Sequence, residues 1–231
     1  MAREIVVSGA SRGLGASIAR MHLEKGDIVH LIVRKESDFV KEAEKRYPEK
    51  VRVHFGDIAS VSLLENACRE IIREIEHIDI LYNVAAVFNE ADKCGLNDLD
   101  FDIAPEIYNI NALGPLRVLQ QLDTVIDGKT RIVNVSSQSG SCEDTDEVTK
   151  YAYSMSKAAL NFASKLYYRE KHRGRNIIVV CPGWMRTDMG GAEADLDPDE
   201  SAEGIIHLAE DMENLDPDWM FFKYNGSKIH W

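Results

Sequence analysis

Tyr153 and Lys157 are four residues apart in a stretch of helical character, which puts both side chains on one face of a helix. An ammonium beside a phenol favours the phenolate and lowers the phenol's pKa towards working pH. A phenol tuned in this way can give a proton to a carbonyl oxygen or take one from an alcohol. Ser136 and Ser137 close the β-branched run Arg131–Val135, where a hydroxyl can hydrogen-bond the reacting oxygen. Because a Tyr–Lys pair at this spacing is common by chance, its meaning depends on its surroundings.

A second group of residues has the chemistry of phosphate binding. The turn Ser8-Gly9-Ala10-Ser11-Arg12-Gly13-Leu14-Gly15 follows an apolar run and opens an apolar-periodic helix. Glycines let the backbone approach a phosphate without a Cβ clash, and the free N–H groups of the helix that follows attract its charge. The spacing differs from G-x-G-x-x-G. Arg34 and Lys35 come after the second apolar run. In a dinucleotide fold that position meets the adenosine ribose, where a basic residue fits a 2′-phosphate and an acidic one a 2′-hydroxyl. Arg12 offers a second cation, Glu36 is the acidic alternative, and Asp57 after the third run can accept from an adenine amino group. Each also has a plain structural reading: a tight β–α turn, solvated surface charges, and for Asp57 an N-terminal cap on the helix beginning at Ser60.

The elements that must position these residues alternate. Ile5–Val7, Ile28–Val33, Val51–Phe55, Ile78–Tyr82, Arg131–Val135 and Ile177–Cys181 read as buried strands. Between them Gly13–Glu24, Ser37–Arg46, Ser60–Glu74, Pro105–Leu122 and Tyr153–Lys171 read as helices, with a further helix over Pro198–Glu213 and a short last strand at Trp219–Phe222. Strand–helix alternation predicts right-handed crossovers and an α/β fold: one doubly wound parallel sheet in a single domain, residues 1–231. Cys142–Thr149 and Gly183–Pro198 interrupt the alternation after strands, as solvated loops or as the rim of a substrate pocket.

Taken together, these motifs resemble the short-chain dehydrogenase/reductase family in its short, single-domain, Rossmann-type form. The resemblance rests on the Ser8–Gly15 turn, Asp57, Asn111, Asn134-Val135-Ser136-Ser137, Tyr153-Ser154-Met155-Ser156-Lys157 and Pro182-Gly183-Trp184-Met185-Arg186-Thr187, in family order over nearly the whole chain. Within the family, the segment from Pro182 to Gly191 and the tail from Tyr224 to Trp231 resemble the C-factor/sniffer-like carbonyl reductases. The resemblance implies that Tyr153 is the general acid/base and that Lys157 lowers its pKa and binds the nicotinamide ribose. It implies that Ser137 polarises the substrate carbonyl, that Asn111 anchors a helix bend and a water linking Lys157 to solvent, and that Thr187 holds the nicotinamide carboxamide. Cofactor contacts are implied at Gly9, Ser11, Arg12, Gly13, Leu14, Gly15, Arg34, Asp57, Ile58, Asn83, Tyr153, Lys157, Pro182, Gly183 and Thr187. The chain departs from the family's Asn-Asn-Ala-Gly at Asn83-Val84-Ala85-Ala86, and an Ala86 held at positive φ would cost about 1 kcal/mol.

The expected activity is hydride transfer between NADP(H) and a carbonyl or secondary alcohol. The alternatives are an NAD(H) enzyme with Glu36 on the ribose, or a non-catalytic dinucleotide-binding sensor or interaction protein. The 231 residues carry a net charge of −12, which argues against nucleic-acid and anionic-membrane partners. Cys68, Cys94, Cys142 and Cys181 form no C-x-x-C pair, and the seven histidines fall in no ligand spacing, so no metal is expected. Free thiols, and a start that enters a strand without a signal-peptide pattern, predict a cytoplasmic protein. The family resemblance implies a homo-oligomer, a dimer or tetramer, built on the helices carrying Asn111 and Tyr153.

Overall fold

In the computed structural model, residues 2–171 and 176–231 are described. Strands β1 (Glu4–Ser8), β2 (Ile28–Val33), β3 (Val51–Phe55), β4 (Ile80–Asn83), β5 (Arg131–Val135), β6 (Ile177–Cys181) and β7 (Phe221–Lys223) form one sheet in the order β3-β2-β1-β4-β5-β6-β7. Every pairing is parallel. Helices α1 (Gly13–Lys25), α2 (Asp38–Arg46), α3 (Val61–Glu74), α4 (Ala104–Tyr108), α5 (Gly114–Gln121), α6 (Tyr151–Lys171) and α7 (Pro198–Glu210) cover it. Strand order reverses between β1 and β4, the switch point at which such sheets open a crevice for ligands.

Alternation along β1 divides the core. Ile5 and Val7 face one side with Leu14 and Ile18 of α1, Val40 of α2 and Ile205 and Ile206 of α7. Val6 faces the other side with Leu64 and Ile71 of α3 and Val118 and Leu119 of α5. All of these side chains are buried, as strands covered on both faces require. Local chemistry sets the helix ends. Gly26 closes α1 in the left-handed conformation at φ 88°, and Ser37 caps α2 by accepting from Val40 N. Asp197 caps α7 ahead of Pro198.

Two strands begin two residues later than expected, at Ile80 and Phe221, and two expected helices differ in extent. The single helix expected over Pro105–Leu122 is α4 and α5 joined by a π-helical turn at Asn109–Leu113. Pro115 has no N–H to give to the carbonyl of Asn111 four residues back, so regular helix cannot run through it. The helix expected over Pro198–Glu213 stops at Glu210 and continues as a short 3₁₀ turn at Met212–Asn214. Among the described residues no helix is long and apolar enough to cross a membrane.

Candidate active site

A cleft opens at the carboxyl ends of the strands, around the switch point. Its lining includes Gly9, Ser11, Arg12, Gly13, Leu14 and Gly15 of the glycine turn, Arg34 after β2, and Asp57 and Ile58 after β3. Val84–Val87 follow β4 in the same wall, and Ser136, Tyr153, Lys157, Pro182 and Met185–Met189 complete it. Thirteen of the fifteen expected cofactor residues therefore share one cavity. Asn83 and Gly183 do not line it. The side chain of Asn83 is buried behind the wall, donating to Asn134 Oδ1 at 2.9 Å and accepting from Ser8 Oγ at 3.4 Å. Gly183 is a turn residue at φ 83°, where a Cβ would come within 2.9 Å of Leu196 Cδ2.

The glycine turn is shaped for a phosphate. Gly9 has φ 81°, and a Cβ there would lie 2.6 Å from the backbone of Ala85. A Cβ on Gly15 would run into the carbonyl of Gly9, and one on Gly13 would sit 3.2 Å from Thr187 Cγ2. No side chain caps the N-terminus of α1, so its first N–H groups are left to face the cleft beside the turn. That combination fits a dinucleotide pyrophosphate.

Charges at the adenosine end are sorted. Arg34 is exposed and lines the cleft. Glu36 is outside the lining, held by Lys41 at 3.0 Å. Arg12 reaches across to Asp188 at 2.6 Å. Asp57 Oδ1 accepts from Ala59 N at 2.9 Å, which turns the chain ahead of α3 but leaves the cap position itself to Ser60.

At the other end of the cleft Tyr153 and Lys157 share the first turns of α6. Ser137 stands beside Tyr153, its Oγ accepting from Ser139 N at 3.2 Å, and the Tyr153 ring meets Phe88 edge-on with centroids 5.5 Å apart. Lys157 is almost fully buried and its Nζ donates to Val135 O at 2.9 Å, 5.7 Å from the centre of the Tyr153 ring. Burial pushes the phenol of Tyr153 up to about 12, partly offset by the nearby Ser137, and pushes the ammonium of Lys157 down to about 8. The ammonium of Lys157 is drawn to the end of β5, and desolvation is the largest influence on the phenol. Asn111 sits in the π-helical turn. Its Oδ1 accepts from Val87 N at 2.8 Å, and its Nδ2 donates to Val87 O at 2.9 Å and Ser156 Oγ at 3.1 Å. It ties the bend to the β4 loop and to α6.

Several neighbours were not apparent from the sequence. Buried Asp92 accepts from the backbone N–H groups of Ala152 (3.0 Å) and Tyr153 (2.8 Å), fixing the start of α6. No signal near Asp92 points to a helix 60 residues away. Val84–Val87 and Met185 supply apolar wall, and Val84 and Ala86 are the departures from the family pattern. Lys150 is the only non-glycine residue at positive φ among those described, so Ala86 carries no such strain. Trp184 is exposed and hooks its loop by donating to Gly190 O at 2.8 Å. Of the two interrupting loops, only the one after β6 lines the cleft. The acidic one is strapped to the chain's end by Asp144, which accepts from His230 N at 2.6 Å.

A parallel sheet with this strand order and a glycine-turn cleft at its switch point defines a Rossmann-type dinucleotide-binding protein. The family model for short chain dehydrogenases matches residues 3–197, and the chain belongs to that family. It is 35% identical to the C-signal protein of Myxococcus xanthus over 157 residues, covering 67% of this chain and 93% of that one. Carbonyl reductase (NADPH) 1 of Sus scrofa is 28% identical over 257 residues, covering 90% of this chain and 86% of that one. A short-chain dehydrogenase/reductase from Burkholderia multivorans, solved with bound NADP, superposes with a TM-score of 0.88 at 26% identity over 100% of both chains.

Proposed function

We propose that the protein is an NADP(H)-dependent reductase of ketones or aldehydes, with Tyr153 as its proton donor. The observation that carries the reading is that Tyr153 and Lys157 line one end of a cleft whose other end presents Arg34. A relative named as an NADPH carbonyl reductase and a like structure with bound NADP support it.

In this reading the glycine turn and the N-terminus of α1 hold the pyrophosphate, and Arg34 binds the 2′-phosphate. Asp57 and Ile58 bound the adenine, Pro182 and Thr187 hold the nicotinamide amide, and Lys157 binds the adjoining ribose. When bound, the cofactor supplies the hydride. Ser137 orients and polarises the substrate carbonyl, and Tyr153 gives its proton to the carbonyl oxygen. A phenol whose pKa is pushed up stays protonated at neutral pH, which suits reduction more than oxidation. Asn111 and Asp92 hold α6 so that both catalytic side chains face the cleft. The exposed apolar side chains of Phe101, Tyr108, Met155, Phe162 and Leu166, on and around α4 and α6, support a homo-oligomer. Four free cysteines support a cytoplasmic setting.

A panel of ketones and aldehydes with NADPH and NADH, followed at the nicotinamide absorbance, tests the reading. Turnover of a carbonyl with NADPH is expected. Tight NADPH binding without turnover of any class in the panel would favour the dinucleotide-binding sensor instead.

A further inference from the structure

His30 on β2 and His54 on β3 meet away from the cleft. His54 stands opposite Ile32, two residues beyond His30, so all three side chains share the sheet face covered by α3. Both rings are buried and stacked, with centroids 5.2 Å apart, and His30 Nδ1 is 3.0 Å from His54 Nε2. The remaining nitrogen of each ring faces a carboxylate: His30 Nε2 is 3.0 Å from Glu4 Oε2, and His54 Nδ1 is 3.3 Å from Glu70 Oε2.

A neutral imidazole carries one N–H and one lone pair. If each outer nitrogen donates to its carboxylate, the two inner nitrogens turn lone pairs towards each other. That contact is unfavourable unless something electron-poor lies between or beside them. A proton there would leave a charged imidazolium in a pair of rings buried away from water, which burial disfavours. A metal ion is a better candidate. Glu74 Oε2 lies 3.9 Å from His30 Nδ1, and one ligand atom from each of His30, His54 and Glu74 falls within 4.8 Å of the others.

We propose that His30 Nδ1, His54 Nε2 and Glu74 Oε2 bind a divalent transition-metal ion of the zinc type, with water completing a four-coordinate site. Two imidazoles and a carboxylate are a zinc donor set, and two nitrogens on a tetrahedral zinc ion lie roughly 3.3 Å apart, close to the separation of this pair. Carboxylates behind the ligating imidazoles, here Glu4 and Glu70, are the usual outer partners of such a site. Glu70 and Glu74 are one helical turn apart at the C-terminus of α3, where the helix dipole also favours a cation. Arg52, 3.9 Å from Glu74, faces the cluster, and Lys50 acts on Glu4. Glu74 is partly exposed, which gives the ion and its water a route from solvent. The site would staple β2, β3 and α3 behind the strand ends that carry Arg34 and Asp57, without touching the reaction.

The test uses the full chain, stripped by a chelator and dialysed. Calorimetry with Zn²⁺ should show one tight site per chain, and Zn²⁺ should raise the melting temperature. Co²⁺ should give the visible absorption of a four-coordinate ion. Glu74→Ala removes only a partly exposed side chain and should weaken Zn²⁺ binding at least about 10-fold. His54→Gln should abolish it, and Cys142→Ser should leave it unchanged. Absence of saturable binding overturns the proposal, as does binding that survives both Glu74→Ala and His54→Gln or is lost in Cys142→Ser. An imidazolium in the chelated protein at neutral pH, seen by ¹⁵N NMR with no Zn²⁺ uptake, also overturns it by putting a proton in the ion's place.

Discussion

Arg12 Nη1 and Asp188 Oδ2 stand 2.6 Å apart, tying the glycine turn to the loop after β6 across 176 residues of sequence. Both side chains are largely exposed, so the pair contributes little to stability. It does set a competition, because a phosphate that recruits Arg12 must draw it away from Asp188. Asp188→Asn should therefore tighten NADPH binding by about 2- to 5-fold, the range a surface ion pair commands, and leave NADH binding unchanged. Quenching of tryptophan fluorescence by each cofactor measures this. An unchanged NADPH affinity would mean that Arg12 serves the loop and not the phosphate.

Arg34 is the stronger candidate for discriminating between the two cofactors. It lines the cleft at the end of β2, whereas Glu36, the residue an NAD(H) enzyme would use, is turned to Lys41. A charge-assisted contact of a guanidinium with a phosphate contributes about 1.5–3 kcal/mol. Arg34→Ala should thus lose roughly 10- to 150-fold in NADPH affinity, with NADH little affected. Equal binding of both cofactors by the wild-type protein would restore the NAD(H) reading.

What the sequence disclosed was mostly local. Tyr153 and Lys157 share a helix face, and the glycine turn lies within eight residues, so periodicity and spacing sufficed. Contacts created by the sheet were invisible. His30 and His54 meet only because β2 and β3 pair in a particular register, and Asp92 reaches α6 only through the path of the loop after β4. Asn83 sits in line with the family pattern, yet strand alternation turns it into the interior, between Ser8 and Asn134. The environment of the Tyr153 phenol is non-local in the same way. Sequence spacing places Lys157 beside the ring, but burial, which dominates, is a property of the assembled cleft.

Gly9 tests the shape of the turn. Its φ of 81° and the 2.6 Å approach of the Ala85 backbone leave no room for a methyl group, and backbone cannot swing aside as a flexible side chain does. Gly9→Ala should destabilise the protein by about 1–3 kcal/mol and weaken binding of either cofactor. Gly128, with open space around it and no positive φ, provides the control: Gly128→Ala should change stability by no more than about 0.5 kcal/mol. Thermal and urea unfolding of the two variants, with cofactor titrations, distinguish a strained turn from a general intolerance of added volume.

The Tyr153–Lys157 pair predicts the pH dependence. Tyr153→Phe keeps the ring and removes the acid, so kcat for reduction should fall by about 10²- to 10⁴-fold. In the wild type the phenol, pushed up to about 12, remains protonated across the neutral range, and the first group to lose its proton is Lys157, at about 8. Reduction should therefore be flat at neutral pH and decline as pH rises through about 8, while alcohol oxidation, which needs the phenol to release its proton, should rise with pH. Lys157→Met should lack the inflection near 8 and bind cofactor more weakly. Stability provides an independent reading. Between about 8 and its ordinary value of 10.5, Lys157 holds its proton in the unfolded chain and not in the folded one. The unfolded state then binds more protons, so wild-type stability gains from this group as pH rises through that window. Lys157→Met should not show that gain. Urea unfolding of both proteins across the window measures it, and parallel curves would place the ammonium in contact with solvent rather than beneath Tyr153.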